Sequence, residues 1–459
     1  MAFDPLNEVF GTARALRARL LGNPTETVRL AVTGLSRAGK TVFATALAAN
    51  LLAIPRDPRR MAKLPAVAEN RVVAVRELGP MRNATPGFPL ADALAALAGS
   101  GAWPRPTTEL SALTLELDIE AAATAWLERE LGSTRRTLRL GIVDYPGEWL
   151  LDLPLLEQSF EQWSARELAR AREAARGPRA GAFLAELNTA DPAGPAVPAQ
   201  LAGLAASWRA YLLDCREAGL VALTPGRFLN PGAWEGQDFM RFCPLPALAS
   251  GAPRPGTLAA VMRSHFAEYL TRTRREFLEP HFARFDAQIV LVDLFGALAA
   301  GAASFAEVEE ALGAIARALR PDPGWLAFLG LGRAAPVVYA ATKADYVPQS
   351  QRGQLGALLR HLVGADAAVT TVAAVRCTED IVVEDRGRPQ QAVSGLVEGG
   401  GREAFWFAGG VPVERPETTW FDHRYAVPVF APPSFDPARG LAHANLDGVL
   451  ALALPRAFA

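Results

Sequence analysis

A strand that runs into a glycine loop and then a helix constrains this chain more than any other feature. Val28 to Thr33 (Val-Arg-Leu-Ala-Val-Thr) is apolar and β-branched enough to predict a buried strand. Gly34-Leu35-Ser36-Arg37-Ala38-Gly39-Lys40-Thr41 follows and fits G-x-x-x-x-G-K-[ST] at every fixed position. Val42 to Leu52 is rich in Ala and Leu and predicts a helix. A glycine turn ahead of a helix can arise by chance, but strand, loop and helix together are the context a phosphate loop requires.

The residue types follow from the chemistry. Successive backbone N–H groups of such a loop wrap phosphate oxygens, aided by the positive end of the next helix. Gly34 and Gly39 allow backbone angles and close approaches that a Cβ would hinder. Ser36, Arg37, Ala38 and Val42 complete the cradle. Lys40 reaches the β- and γ-phosphates as a point charge, and the Thr41 hydroxyl is placed to ligate Mg²⁺. Only three of the 47 basic residues are lysines: Lys40, Lys63 and Lys343. A chain that otherwise uses Arg keeps Lys where a slender ammonium must fit between phosphates.

Other features narrow the class. At 459 residues the chain has room for two or three domains, and a net charge of −1 gives no sign of nucleic-acid binding. Cys215, Cys243 and Cys377 are scattered without metal spacing, which fits a reducing cytoplasm, and the five histidines are equally dispersed. The N-terminus lacks a signal-peptide layout. The most apolar stretch, Ile289 to Phe305, is interrupted by Asp293, Gly296, Gly301 and Ser304, so it predicts a buried strand plus turn rather than a membrane span.

Two further motifs sit at strand ends. Arg136 to Val143 predicts a strand that ends in Asp144-Tyr145-Pro146-Gly147-Glu148, a D-x-x-G. Asp144 is placed to hold Mg²⁺ through water, and the Gly147 N–H to bond a γ-phosphate oxygen. Glu148 stands where a residue can orient the attacking water, or it caps the next helix. Pro336 to Ala341 predicts another strand, ending in Thr342-Lys343-Ala344-Asp345. This fits [NT]-K-x-D. Asp345 can accept from both the ring N–H and the exocyclic amine of guanine, a donor pair that adenine lacks, while the Lys343 stem lies along the base. Val369 to Val375 predicts a last parallel strand, and the turn Ala374-Val375-Arg376 offers backbone N–H groups to the guanine O6. A threonine ahead of the strand Leu110–Leu117, Thr107 or Thr108, can sense Mg²⁺ and γ-phosphate, or be an ordinary turn residue.

Elsewhere the periodicity predicts a helix over Leu6–Leu21, and a strand at Arg71–Val75 and a helix at Leu90–Leu97 within a Pro/Arg-rich excursion. It predicts one long exposed helix over Phe160–Leu187, helices over Leu201–Ala218 and Leu258–Pro280, and an irregular loop over Thr224–Pro255. A strand at Gln288–Asp293, helices at Phe305–Leu319 and Leu355–Val363, short strands over Ile381–Phe430 and a closing helix at Asn445–Leu454 complete the chain. The fold class is α/β: a P-loop GTPase core with a mostly parallel sheet, a helical insertion and a small β-rich C-terminal extension. Its parts are residues 1–150, the helical 151–282, 283–380 with the guanine-reading motif, and 381–459.

With these motifs in place the chain resembles the YcjX-like family of bacterial P-loop GTPases, stress-associated proteins. Four strings carry the likeness: Gly34–Thr41, Asp144–Leu156, Phe285–Asp293 and Ala340–Asp345. The resemblance spans nearly the whole chain. It implies binding and slow hydrolysis of GTP to GDP, a switch-like change of shape, and a helical insertion. It also implies a link to envelope stress and a partner protein in the inner membrane, with the chain cytoplasmic or peripheral to that membrane. Two other functions compete: a small-molecule kinase or ATPase using the same loop, against which Asp345 argues, and a nucleotide-stabilised scaffold whose hydrolysis is incidental.

Overall fold

The structure, a computed structural model, describes residues 25–79, 86–105, 109–120, 135–247, 253–319, 335–385, 387–405, 410–422 and 427–459. The helix expected at Leu6–Leu21 and both candidate threonines, Thr107 and Thr108, lie outside them. The chain is α/β. Strand β1 (Thr25–Gly34) leads through the glycine loop into helix α1 (Lys40–Ala53). Then come β2 (Val72–Leu78), α2 (Leu90–Ala95), β3 (Ser111–Glu120) and β4 (Arg135–Asp144). After a long helical stretch, β5 (Ala287–Val292), β6 (Val337–Ala341) and β7 (Ala368–Thr371) complete a sheet ordered β2-β3-β4-β1-β5-β6-β7. From β4 to β7 neighbouring strands are parallel, and β3 and β2 add antiparallel pairs at one side.

The central strands are apolar on both faces, and both faces are covered. Leu30 and Val32 of β1 and Ile289 and Leu291 of β5 meet Phe43, Leu47 and Leu51 of α1. The alternate residues Ala31, Val290 and Val292 meet the opposite layer. A parallel sheet needs cover on both sides, which is why these strands read as continuous apolar runs. The opposite layer includes α7 (Leu294–Ala300) and α8 (Ala302–Ala318), so Ile289–Phe305 is a buried strand followed by helices, where a turn alone was expected. The last parallel strand stops at Thr371, before the expected Val375, because Ala373 pairs antiparallel with Ala444 near the C-terminus.

Between β4 and β5 stand α3 (Phe160–Arg170), α4 (Gly177–Asn188), α5 (Pro198–Glu217) and α6 (Leu258–Thr273). They enclose their own core. Trp163, fully buried, packs edge-on to Trp208 at 6.2 Å and face-on to Phe266 at 5.0 Å. The single exposed helix expected over Phe160–Leu187 is therefore two helices with a buried face. Pro178 explains the break: it restarts a helix at its first turn but cannot continue one. In the break, Arg176 is fully buried and makes a bidentate pair with Glu307 of α8 at 2.7 and 2.8 Å, while Glu307 also accepts from the Ala222 N–H at 3.0 Å. That pair ties the helical stretch to the sheet's own layer.

Helix α9 (Arg352–Val363), before β7 in the chain, packs Leu355, Leu358 and Leu359 into the layer opposite α1. After β7 comes a three-stranded antiparallel sheet of β8 (Thr378–Asp385), β9 (Arg388–Leu396) and β10 (Arg402–Phe405). Helix α10 (Leu446–Ala453) returns to the α1 side of the main sheet and packs Leu446, Val449 and Leu450 into it.

Candidate functional site

The C-terminal ends of β1, β4, β5 and β6 meet at one edge of the sheet, where open parallel sheets place their ligands. The loop after β1 is set by contacts that only glycine permits. Gly34 has φ +153°, and a Cβ there would lie 2.2 Å from the Leu291 carbonyl oxygen of β5. A Cβ on Gly147 would lie 1.6 Å from the Gly34 carbonyl oxygen, so the D-x-x-G glycine touches the glycine loop backbone to backbone. Arg37 (φ +64°) and Gly39 (φ +80°) take left-handed angles that turn the loop into α1. Ser36 is half-buried, the Arg37 side chain is exposed at the tip, and Ala38 is buried beneath.

Lys40 opens α1. Its ammonium donates to the carbonyls of Gly34 at 3.0 Å and Leu35 at 3.3 Å, so it lies across the mouth of the loop. Thr41 is buried in the helix's first turn. Asp144, buried at the tip of β4, stands opposite Val32 in the parallel register, which brings it beside the start of the glycine loop. Thr41 and Asp144 thus supply a hydroxyl and a carboxylate, hard oxygen donors suited to Mg²⁺.

Glu148 is buried directly after Gly147, in a helical segment (Gly147–Glu157) that is nearly all buried. A Cβ on Gly226, from the helical stretch, would lie 1.9 Å from the Glu148 carbonyl oxygen. Arg227 next to it stacks on Trp149 with 3.6 Å from guanidinium carbon to ring centre, and on Trp234 at 4.0 Å. Asp152 accepts from the Gly226 N–H at 2.7 Å and from the Tyr269 hydroxyl at 2.6 Å. The segment after D-x-x-G is therefore clamped to the helical stretch by four residues that motif reading did not single out: Asp152, Gly226, Arg227 and Tyr269.

At the other end of the same edge, Thr342 follows β6 and bonds the Val292 carbonyl through its N–H at 2.8 Å. Lys343 has φ +54°, and its ammonium pairs with the carboxylate of Asp293, whose other oxygen accepts from the Gly296 N–H at 2.8 Å. Asp345 is buried, and one carboxylate oxygen accepts from the Cys377 N–H at 2.8 Å. Burial pushes the Asp345 carboxyl up to about 6, against the pull of the Cys377 N–H and of Arg352 and Arg376. In the turn after β7 the Arg376 N–H bonds the Ala442 carbonyl at 2.7 Å, and the Arg376 guanidinium donates to Thr378 O at 3.0 Å.

One cavity of about 330 Å³ joins the two ends. Ala38 and Gly39 of the loop and Val42 of α1 line one side, and Thr342, Lys343, Asp345 and Val375 the other. Ser36, Arg37, Lys40, Thr41, Asp144, Gly147, Glu148 and Arg376 lie outside that lining. Sequence reasoning missed Asp293, Cys377, Trp103 and Val427–Val429, which also face the cavity. Asp293 had a readable signal, an acid at the C-terminal end of an apolar strand. The others had none, since their place depends on distant segments.

The model of the YcjX-like family matches residues 28–455. The chain is 34% identical over 445 residues to "Ras-like GTPase YcjX" of Escherichia coli (strain K12), covering 92% of this chain and 94% of that protein. It is 31% identical over 456 residues to "Ras-like GTPase YcjX" of Shewanella oneidensis (strain MR-1), covering 92% and 93%.

Proposed function

The chain belongs to the YcjX-like family, and from that premise we propose that it binds guanine nucleotide and slowly hydrolyses GTP. One observation carries the proposal: a single cavity joins the glycine loop to Thr342, Lys343 and Asp345. The loop N–H groups and Lys40 take the phosphates, and Asp345 takes the two guanine donors. Val375 and its neighbour Ala374 face the base. The Arg376 N–H, engaged by the Ala442 carbonyl, acts by holding that turn. Thr41 and Asp144 would hold Mg²⁺, which when bound neutralises charge on the phosphate oxygens. Glu148 orients the attacking water, and Gly147 senses the γ-phosphate.

The same reading makes the chain a switch. Gly147 touches the phosphate loop, and the residues just after it are clamped under Gly226 and Arg227. A change at the γ-phosphate would therefore reach the helical insertion through contacts already made. A cytoplasmic place, a role in envelope stress and a partner at the inner membrane complete the proposal and rest on the family resemblance. No helix among the described residues is long and apolar enough to cross a membrane.

Direct competition tests the nucleotide. A site that leaves a buried acceptor unpaired with the wrong base discriminates by on the order of 10⁴-fold, so GTP should displace ATP and not the reverse. Asp345→Asn should weaken GTP and favour xanthosine triphosphate, whose ring carbonyl meets the new amide N–H. Equal binding of ATP and GTP by the wild type, with no gain for the xanthine nucleotide in the variant, would return the kinase and ATPase readings to the front.

A further inference from the structure

Two segments outside the glycine loop, the D-x-x-G and the T-K-x-D close the base end of the cavity. Trp103 comes from the excursion between α2 and β3, and Val427, Pro428 and Val429 come from the C-terminal extension. They are fastened to each other and to the guanine-reading motif. The Trp103 indole N–H donates to the Phe430 carbonyl at 3.2 Å. The Phe430 N–H donates to the Tyr346 hydroxyl at 3.1 Å, and the two rings lie 4.9 Å apart. Tyr346 directly follows Asp345. On the far side, the Val429 carbonyl accepts from Glu398 N–H at 2.8 Å, and the Ala431 N–H donates to Leu396 O at 2.7 Å. The wall is thus held from both sides and presents no polar side chain to the cavity.

The occupant follows from the chemistry of the remaining walls. Phosphates belong at the Gly39 end, and a carboxylate that accepts two donors stands at the Asp345 end. Between them an apolar and aromatic surface is left facing the space. Val429 is 53% exposed, an apolar side chain that the protein's own packing does not cover. A flat purine has an apolar π-face and polar edges, so it fits a space with one acidic edge and an indole-bearing wall. Stacking on such a surface adds affinity without choosing among bases, since every base has a π-face. Selectivity stays with Asp345.

We propose that Trp103, with Val427–Val429, forms a base-contacting wall of the nucleotide site, so that the C-terminal extension is part of the binding machinery. The proposal rests on the guanine-nucleotide reading above. It also couples the extension to the base, because moving Phe430 would move both Trp103 and Tyr346.

The test compares Mg·GDP with tripolyphosphate, which carries phosphates but no base. Trp103→Leu should bind GDP about tenfold or more weaker, the range expected for losing one base–aromatic contact. Trp103→Phe should recover most of that affinity. Tripolyphosphate should bind wild type and Trp103→Leu alike, because a base wall does not touch it. Val429→Asp, at a side chain already more than half exposed, should weaken GDP and spare tripolyphosphate without threatening the fold. GDP binding at wild-type strength by both Trp103→Leu and Val429→Asp would overturn the wall and leave the guanine reading standing. Equal loss of GDP and tripolyphosphate would also overturn it, marking these residues as supports of the fold. A wild type that binds tripolyphosphate but no guanine nucleotide would remove the guanine reading and the wall with it.

Discussion

Asp345→Asn should make the nucleotide-free protein more stable at neutral pH, and the size of the gain follows from burial. Asp345 is 2% exposed, and its carboxyl is pushed up to about 6 from an ordinary 3.8, chiefly by loss of solvent. Below pH 4 the carboxyl is protonated in the folded and the unfolded chain, and it costs nothing. As pH rises from about 4 to about 6 the unfolded chain releases its proton first, so stability falls; above about 6 the cost is constant. The difference between 3.8 and about 6 amounts to about 3 kcal/mol at pH 7. An asparagine can still accept from the Cys377 N–H but carries no charge. Urea unfolding without nucleotide should therefore show Asp345→Asn more stable by up to about 3 kcal/mol at pH 7, with the gap closing near pH 4. A gap that is absent at pH 7, or that does not change with pH, would refute the reasoning. Guanine reverses the sign, because its two donors favour the ionised carboxylate. GTP affinity should accordingly be full above about pH 6 and about tenfold weaker at pH 5.

Other outcomes follow from the same geometry. Lys40→Ala should abolish measurable Mg·GTP binding by calorimetry while leaving the unfolding midpoint near wild type, because among the described residues the ammonium bonds carbonyls of its own loop. Glu148→Ala should slow single-turnover hydrolysis by on the order of 10²-fold with GTP affinity nearly kept, since water positioning acts in the transition state; an unaltered rate would leave Glu148 a helix-capping residue. Arg176→Met should destabilise the fold by about 3–5 kcal/mol in denaturant unfolding, because the buried Glu307 loses its bidentate partner. Asp152→Ala should cost on the order of 2 kcal/mol by leaving the Gly226 N–H and the Tyr269 O–H without their acceptor, while the Tyr269 oxygen still accepts from the Arg227 N–H.

What the sequence by itself determined is local. Gly34, Gly39 and Gly147 stand where backbone approaches and left-handed angles exclude a Cβ, and such demands write themselves into residue type at fixed spacing. The apolar runs of β1, β5 and β6 announce a sheet covered on both faces, and the motifs at the C-terminal ends of β1, β4 and β6 mark the candidate site. Pro178 is equally legible, yet the i, i+4 charges of Phe160–Leu187 outweigh it in the periodicity, which predicts one exposed helix where the fold has a broken, half-buried pair. Only the tertiary structure decided the pairings across long stretches of chain. Arg176 is buried because Glu307 meets it, 131 residues away, and nothing near Arg176 distinguishes it from the many surface arginines. Trp103 and Phe430 are separated by 327 residues, and neither segment has a pattern that names the other. Side-chain periodicity reports which face is buried but not against what, so contacts that join distant segments appear only once the chain has folded.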